Sequence, residues 1–180
     1  MKLHDARRSA RFNSAGSPVP LPEQDRTRWD RGAIAWATAL LEQAIVAGKP
    51  GPFQVEAAIS AVHCRASSPE STNWDEIAAL YALLEAFRPT PAVRVNRAFA
   101  VGRSEGPSEG LALLDQDGGR AATGYPYAYL VRGALLQELG RDVDARAALV
   151  LAHQHARNAV ERAQIEGRLA KLEGSRATGA

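Results

Sequence analysis

The amino-acid sequence predicts an all-α protein, and two observations carry that prediction. Alanine supplies 35 of the 180 residues, while β-branched residues are scarce. Because alanine loses no side-chain rotamer freedom in a helix, this composition favours helices over strands. From Trp29 onward, apolar residues recur at three- and four-residue spacing, which is typical of amphipathic helices. The composition excludes an all-β barrel, and the lone cysteine, Cys64, excludes a disulfide scaffold.

Size, hydropathy and charge narrow the class of protein further. With 46% hydrophobic and 23% charged residues, the chain can bury a core without metals or disulfides. No apolar run approaches the roughly 18 residues that span a bilayer, and the N-terminus lacks the apolar core of a secretory signal. The formal net charge of +2 is too small to indicate a nucleic-acid-binding domain. We therefore expect a soluble, cytoplasmic protein with no membrane partner.

Residues 1–24 form a basic stretch that we expect to be a largely irregular leader with few apolar contacts. Pro18, Pro20 and Pro22 interrupt any helix there. Two interpretations of the charge stay open, namely a basic arm that contacts nucleic-acid phosphates and a solvated linker. The charged residues among the first twenty are Lys2, Asp5, Arg7, Arg8 and Arg11.

Three helices are predicted between this leader and Pro89. Gly48 and Pro50 end the first, since a glycine followed by a proline is a common C-terminal signal. Pro52 suits the first turn of the second, where its missing N–H costs nothing. Asn73 can cap the third through its side-chain oxygen. The predicted ranges are about 28–47, 52–66 and 74–87.

Five further helices are predicted after Pro89, separated by breaks that contain glycine. These breaks are Gly106-Pro107, Asp117-Gly118-Gly119 and Gly140. The predicted helices cover about 91–104, 107–116, 126–139, 142–154 and 156–173. The predicted organisation is therefore a leader at 1–24, a helical domain at 25–173 and a frayed tail at 174–180.

A repeat relates some of these helices. When Pro126 is taken as the first residue of a 34-residue unit, three small residues fall where the two helices of a tetratricopeptide repeat cross closely. These residues are Gly133, Ala145 and Ala152. Starting instead at Pro91 places Ala98 and Gly110 at the corresponding crossings. One such match arises by chance in an alanine-rich helical protein, but two favour a tetratricopeptide-like array of antiparallel helix pairs with about eight helices.

The sequence indicates no enzyme chemistry. His153 and His155 are two residues apart on a predicted helix, so they diverge and cannot share a metal ion. The same objection applies to His63 and Cys64, which are adjacent. No glycine-rich loop follows a strand to bind a phosphate. We therefore predict no catalytic residues, no metal site and no cofactor, and a small all-α enzyme is the least favoured class.

Several stretches together resemble one family of transcription factors. They include PEQDRTRWDR, GPFQVEAAISAVH and the segment from TNWDEIAALYALLEAF to GPSEGLALLD, within about residues 3–173. These stretches resemble the C-terminal half of bacterial extracytoplasmic-function (sigma-24-like) RNA polymerase sigma factors that carry a long tetratricopeptide-like extension. Because the family's promoter-reading regions do not fit into residues 1–25, we expect a C-terminal fragment or a truncated gene product that does not itself direct promoter recognition.

The resemblance implies a protein-interaction or regulatory domain in transcription initiation. The implied partners are the sigma DNA-binding regions, the RNA polymerase core or a regulator, with DNA bound only through regions N-terminal to this chain. The alternative is a free-standing tetratricopeptide-type adaptor unrelated to transcription.

Four polar residues on the predicted helix 91–104 are candidates for partner binding, because the first helix of a repeat lines the groove of a helical array. We expect this groove edge to receive an acidic or carboxylate-bearing segment. In the other interpretation, Arg97 pairs with a carboxylate between helices and fixes their packing. The four candidates are Arg94, Asn96, Arg97 and Arg103.

Gln24, Asp25 and Arg26 precede the first helical stripe and are candidates for an interdomain hinge. The hinge would dock this chain onto the DNA-binding half of a sigma factor. In the structural interpretation, the oxygens of Asp25 and Asp30 cap helix N-termini. Both interpretations can hold together.

Overall fold

The protein folds as an all-α helical array, which confirms the predicted fold class. The computed structural model describes residues 2–14, 16–48, 50–116 and 124–177, with the backbone alone after Glu173. The predicted break at Asp117-Gly118-Gly119 and residues 178–180 of the predicted tail lie outside the described residues. The helices of the described part are α1 Lys2–Asp5, α2 Arg31–Val46, α3 Pro52–Arg65, α4 Trp74–Phe87, α5 Pro91–Ser104, α6 Pro107–Asp115, α7 Pro126–Glu138, α8 Asp142–Gln154 and α9 Ala159–Ala177.

Local signals in the sequence set most of these boundaries. The Asn73 side chain caps α4, where its oxygen accepts a hydrogen bond from the backbone N–H of Glu76 at 3.0 Å. Proline occupies the first turn of α3, α5, α6 and α7, where a missing N–H is tolerated. The predicted cap at Asn73 and the predicted place of Pro52 in the first turn of α3 are therefore confirmed.

Two helices begin later than predicted because a capping side chain lies further along the chain. Residues Arg26–Arg28 form a 3₁₀ turn, and α2 begins only after Asp30 accepts a hydrogen bond from Ala33 N–H at 2.9 Å. In the same way, the Asn158 side chain accepts a hydrogen bond from Glu161 N–H at 2.8 Å and fixes the start of α9. At its other end, the backbone of α9 continues past residue 173 to Ala177.

The chain forms two compact units, Met1–Arg88 and Pro89–Ala180. The predicted leader lies inside the first unit, where α1 packs against α2 and α3. Leu3, Ala6 and Ala10 are buried in the core of this unit, in contrast to the expectation of few apolar contacts. Their spacing of three and four residues places them on one side of the short helical turns, which is why they reach the core together.

The second unit is an array of helix pairs in which α5 packs on α6 and α7 packs on α8. At Gly110 of α6, an added Cβ would lie 2.7 Å from the Ala98 carbonyl oxygen and 2.8 Å from the Gly102 Cα of α5. At Gly133 of α7, an added Cβ would lie 3.1 Å from the Leu149 side chain of α8. The small residues therefore lie at close helix crossings, as the repeat predicted.

The core of the second unit runs along all of its helices. It is made of aliphatic side chains from α5 to α9, so each helix contributes one apolar face. Its most deeply buried members are Val95, Ala98, Leu135, Ala145, Leu149, Ala152 and Ile165. Within the described ranges, no helix combines the length and the apolarity that crossing a bilayer requires.

Replacement of Gly110 by alanine tests the close approach of α5 and α6. We expect Gly110→Ala to lower the free energy of unfolding by about 1–3 kcal/mol, because the new methyl group meets backbone atoms that cannot move aside. Chemical denaturation of the wild-type and variant chains measures the difference.

The matched control is Gly167→Ala on α9, where nothing lies within 4 Å of the added Cβ. Alanine is the better helix former, so this variant should gain roughly 0.5–1 kcal/mol. Equal stability changes in the two variants would contradict the crossing at Gly110.

Candidate functional site

The second unit contains a cavity of about 430 Å³ on the side formed by α5, α7 and α9. Its floor is apolar and consists of Phe99 from α5, Leu130 and Val131 from α7, and Ile165 from α9. Helices α5 and α7 are the first members of the two helix pairs, and α9 follows the second pair. The cavity therefore lies in the groove that the first helices of a helical array create. We call it the second-unit groove.

The rim of the second-unit groove is polar and carries two guanidinium groups, Arg157 and Arg168. Glu161 also lines the groove. Its carboxylate accepts hydrogen bonds from the backbone N–H of Arg157 at 2.8 Å and from the side-chain amide of Asn158 at 3.0 Å. These bonds tie the acidic charge to the N-terminus of α9, where the helix dipole stabilises it. With two arginines and one glutamate, the lining carries a net positive charge.

Two tyrosines complete the rim. The rings of Tyr125 and Tyr127 meet edge to face, with centroids 6.3 Å apart. Desolvation raises the pKa of the Tyr127 hydroxyl, and the nearby Arg168 charge opposes that shift only in part. The hydroxyl therefore keeps its proton at neutral pH and is a hydrogen-bond donor. An apolar floor, phenol donors and two guanidinium groups fit a chain segment with an apolar side chain and a carboxylate.

The four predicted partner-binding residues lie on α5 as expected but not around this cavity. Of the described residues that line the cavity, none is Arg94, Asn96, Arg97 or Arg103. One turn of helix takes 3.6 residues, so Arg94 and Arg97 share one face of α5 while Asn96 and Arg103 share another. The structure therefore brings these residues together as two pairs, and partner binding by them stays a prediction.

Asn96 and Arg103 make contacts inside the second unit. The Asn96 side-chain amide donates a hydrogen bond to the Ala92 carbonyl of its own helix at 2.9 Å. The Arg103 guanidinium pairs with the Glu138 carboxylate of α7 at 2.9 Å. This pairing between helices is the packing role that the sequence left open for a neighbouring arginine, Arg97.

The three predicted hinge residues all make contacts inside the first unit. The Gln24 amide donates to the Val19 carbonyl at 3.0 Å. Asp25 accepts hydrogen bonds from both the N–H and the hydroxyl of Thr27, at 2.9 and 2.6 Å. The capping interpretation of Asp25 is confirmed, as it is for Asp30, whereas the interdomain hinge stays a prediction.

Arg26 has a larger structural role than a cap. It is buried, and its Nη1 donates hydrogen bonds to the carbonyl oxygens of His63 and Ala66, at 2.9 and 2.8 Å. Those oxygens lie at the C-terminus of α3, where a cation is favoured by the helix dipole. The same guanidinium lies 4.6 Å from the ring centroid of the buried Trp29. One side chain therefore joins the entry to α2 with the end of α3.

The histidine at this helix end is held neutral. Burial lowers the pKa of His63 to about 4, and the charges of Arg7 and Arg26 act in the same direction. Its ring packs edge-on against Trp74, with 5.6 Å between centroids. The adjacent Cys64 is buried, and burial raises the pKa of its thiol, so it is a core side chain rather than a nucleophile.

The described part of the chain brings no three His, Cys, Asp or Glu side chains into an arrangement that could hold a metal ion.

Comparisons with known proteins add a family and a relative. Residues 1–45 match a family of unknown function (DUF6596). An uncharacterized protein of Rhizobium meliloti (strain 1021) is 44% identical over 176 residues, which are 98% of this chain and 41% of that protein. The chain therefore spans about two fifths of the length of this relative. No solved structure matches the chain.

Loss of the Arg26 side chain tests its role at the end of α3. Arg26→Ala should lower the free energy of unfolding by about 2–4 kcal/mol, because two carbonyl oxygens lose a charged donor. Arg26→Lys should lose less stability than Arg26→Ala but should remain less stable than the wild-type chain, since an ammonium group lacks the planar fork of a guanidinium. The exposed neighbour Arg28 is the control, and Arg28→Ala should change stability by less than about 0.5 kcal/mol. Equal losses at both positions, measured in urea, would contradict this role.

The depressed pKa of His63 predicts a loss of stability in acid. Between pH 6.5 and about 4, the unfolded chain binds a proton at this histidine while the folded chain does not. Lowering the pH through this range therefore lowers the free energy of unfolding. The loss from this group is about 3 kcal/mol at most and is complete near pH 4. Urea denaturation at pH 7.5, 5.5 and 4.5 should show a weaker pH dependence for His63→Gln. An unchanged pH dependence in the variant would refute this assignment.

Proposed function

We propose that this chain is a protein-interaction module in the C-terminal part of a bacterial extracytoplasmic-function sigma factor. In this proposal it acts in transcription initiation through binding and without chemistry of its own, in the cytoplasm. Its partners are the sigma DNA-binding regions, the RNA polymerase core or a regulator. DNA is contacted only by other parts of the factor.

The observation that carries the proposal is the second-unit groove. An apolar floor with a rim of two arginines and two tyrosines is the composition of a site for a protein segment, because arginine and tyrosine are enriched where partners bind tightly. The groove also lies on the side of the array on which helical repeats bind extended segments.

The comparisons support the transcription part of the proposal. The family matched by residues 1–45 is a domain found in sigma-70-like factors. The Rhizobium meliloti relative has more than half of its length outside the region aligned with this chain, which leaves room for other domains. A tetratricopeptide-type adaptor unrelated to transcription would use the same groove, so only the identity of the partner separates the two functions.

A binding experiment tests both the partner and the groove. The fluorescently labelled chain is titrated with Rhizobium meliloti core RNA polymerase and, separately, with the non-aligned part of the relative. We expect saturable binding to at least one of them. Arg168→Glu should weaken that binding by about tenfold or more, because it replaces a rim cation by an anion.

The matched control is Lys171→Glu, which makes the same charge change at an exposed position of α9 outside the groove. This variant should bind as the wild-type chain does. Failure to bind either protein would reject the sigma-factor function. Binding that survives Arg168→Glu unchanged would reject the groove as the site.

A further inference from the structure

The first unit carries a second concave surface, which is independent of the groove just described. Helices α2 and α3 enclose a cavity of about 310 Å³, and α1 contributes Lys2 and Leu3 to it. Of the ten described residues that line this cavity, none is acidic and Lys2 is charged. The apolar lining residues are Leu3, Trp36, Ala37, Leu40, Leu41, Ala44, Phe53 and Ala57. We call this surface the first-unit groove.

Large apolar side chains in the first-unit groove are exposed. Trp36 is 56% exposed, Leu40 is 51% exposed and Phe53 is 68% exposed. Exposed aromatic rings on neighbouring helices are unusual unless a partner covers them, because their burial is a main source of binding energy. Residues of this type, gathered in one concave surface, indicate a docking site.

The shape of the groove fits a helix. Trp36, Leu40 and Ala44 follow one another at four-residue spacing along α2, and Phe53 and Ala57 do the same along α3. The stripe on α2 is roughly 12 Å long, since a helix rises 1.5 Å per residue. A partner helix of two to three turns with apolar side chains at i, i+4 and i+7 matches that length.

The charges around the groove indicate which sign of charge a partner helix carries. The Lys2 ammonium lies 5.9 Å from the centroid of the Trp36 ring, and the Arg88 guanidinium lies 4.9 Å from that of Phe53. The two cations therefore lie over different rings, one on α2 and the other on α3. One N–H of Arg88 bonds the Glu56 carboxylate at 3.1 Å, and a guanidinium has five such donors.

We propose that the first-unit groove binds an acidic amphipathic helix of a protein partner. The apolar face of the partner helix covers the exposed rings of Trp36 and Phe53. Its carboxylates pair with the cations that lie over those rings, at Lys2 and Arg88. A basic helix is rejected, because its charges would oppose the same two groups. Since the site lies in the first unit, it does not depend on the function proposed for the second-unit groove.

Two designed peptides test the proposal on the full chain. Each has about 16 residues and the same leucines at i, i+4 and i+7, and the flanking residues are glutamates in one peptide and lysines in the other. Calorimetric titration should show the acidic peptide bound about tenfold more tightly than the basic one or better. The double variant Lys2→Glu, Arg88→Glu should reverse that order, and Arg28→Glu, an exposed control, should not.

The apolar part of the contact is tested by Trp36→Ala, whose side chain is exposed enough to remove without unfolding the chain. This variant should lose at least about tenfold in affinity for the acidic peptide, while Val160→Ala, an exposed apolar control on α9, should not. Equal binding of both peptides, or none, would overturn the proposal. Self-association of the wild-type chain in sedimentation, abolished by Trp36→Ala, would overturn it in favour of a second copy as the occupant.

Discussion

The second unit depends on the contact between two glycines, Gly102 of α5 and Gly110 of α6. A side chain at Gly110 would meet backbone atoms of α5, and a side chain at Gly102 would meet Leu135 of α7. Gly110 therefore lets α6 approach α5, and Gly102 lets α7 approach the same helix. Phe99, one turn before Gly102, is a floor residue of the second-unit groove. Beside the groove, α5 and α7 therefore approach closely at a residue that has no Cβ.

The first unit is held together by a different kind of interaction. There the Arg26 guanidinium binds the carbonyl oxygens that α3 leaves unsatisfied at its C-terminus and lies over the ring of Trp29. A buried cation is favourable here because the helix end supplies partial negative charge without a carboxylate. Burial lowers the pKa of His63 and the charges of Arg7 and Arg26 add to that shift, so the stability of this unit is linked to pH. The two units therefore place their helices by electrostatics in one case and by close backbone packing in the other.

The features that could be predicted from the sequence are those set by local chemistry. The prolines in first turns and the Asn73 cap act within a few residues, and the small residues at helix crossings repeat at a fixed interval. The groove residues could not be found in this way. Arg157 lies just before α9 and Arg168 lies on it, where the visible pattern is an apolar stripe, and their place beside Tyr127 depends on how α9 packs. The candidates on α5 follow from their residue types and from the place of α5 as the first helix of a repeat, whereas helical spacing divides them between two faces.

The distribution of charge explains why the net charge of +2 says little about partners. In the basic leader, Arg7 is buried with its guanidinium 5.8 Å from the Trp29 ring, and Arg11 donates to the His4 carbonyl at 2.5 Å. These two cations make contacts inside the first unit. Lys2 lines the first-unit groove and Arg88 lies over its Phe53 ring, while Arg157 and Arg168 line the second-unit groove. The acidic partners proposed for both grooves therefore rest on cations beside apolar surfaces, although each unit supplies those cations from different elements.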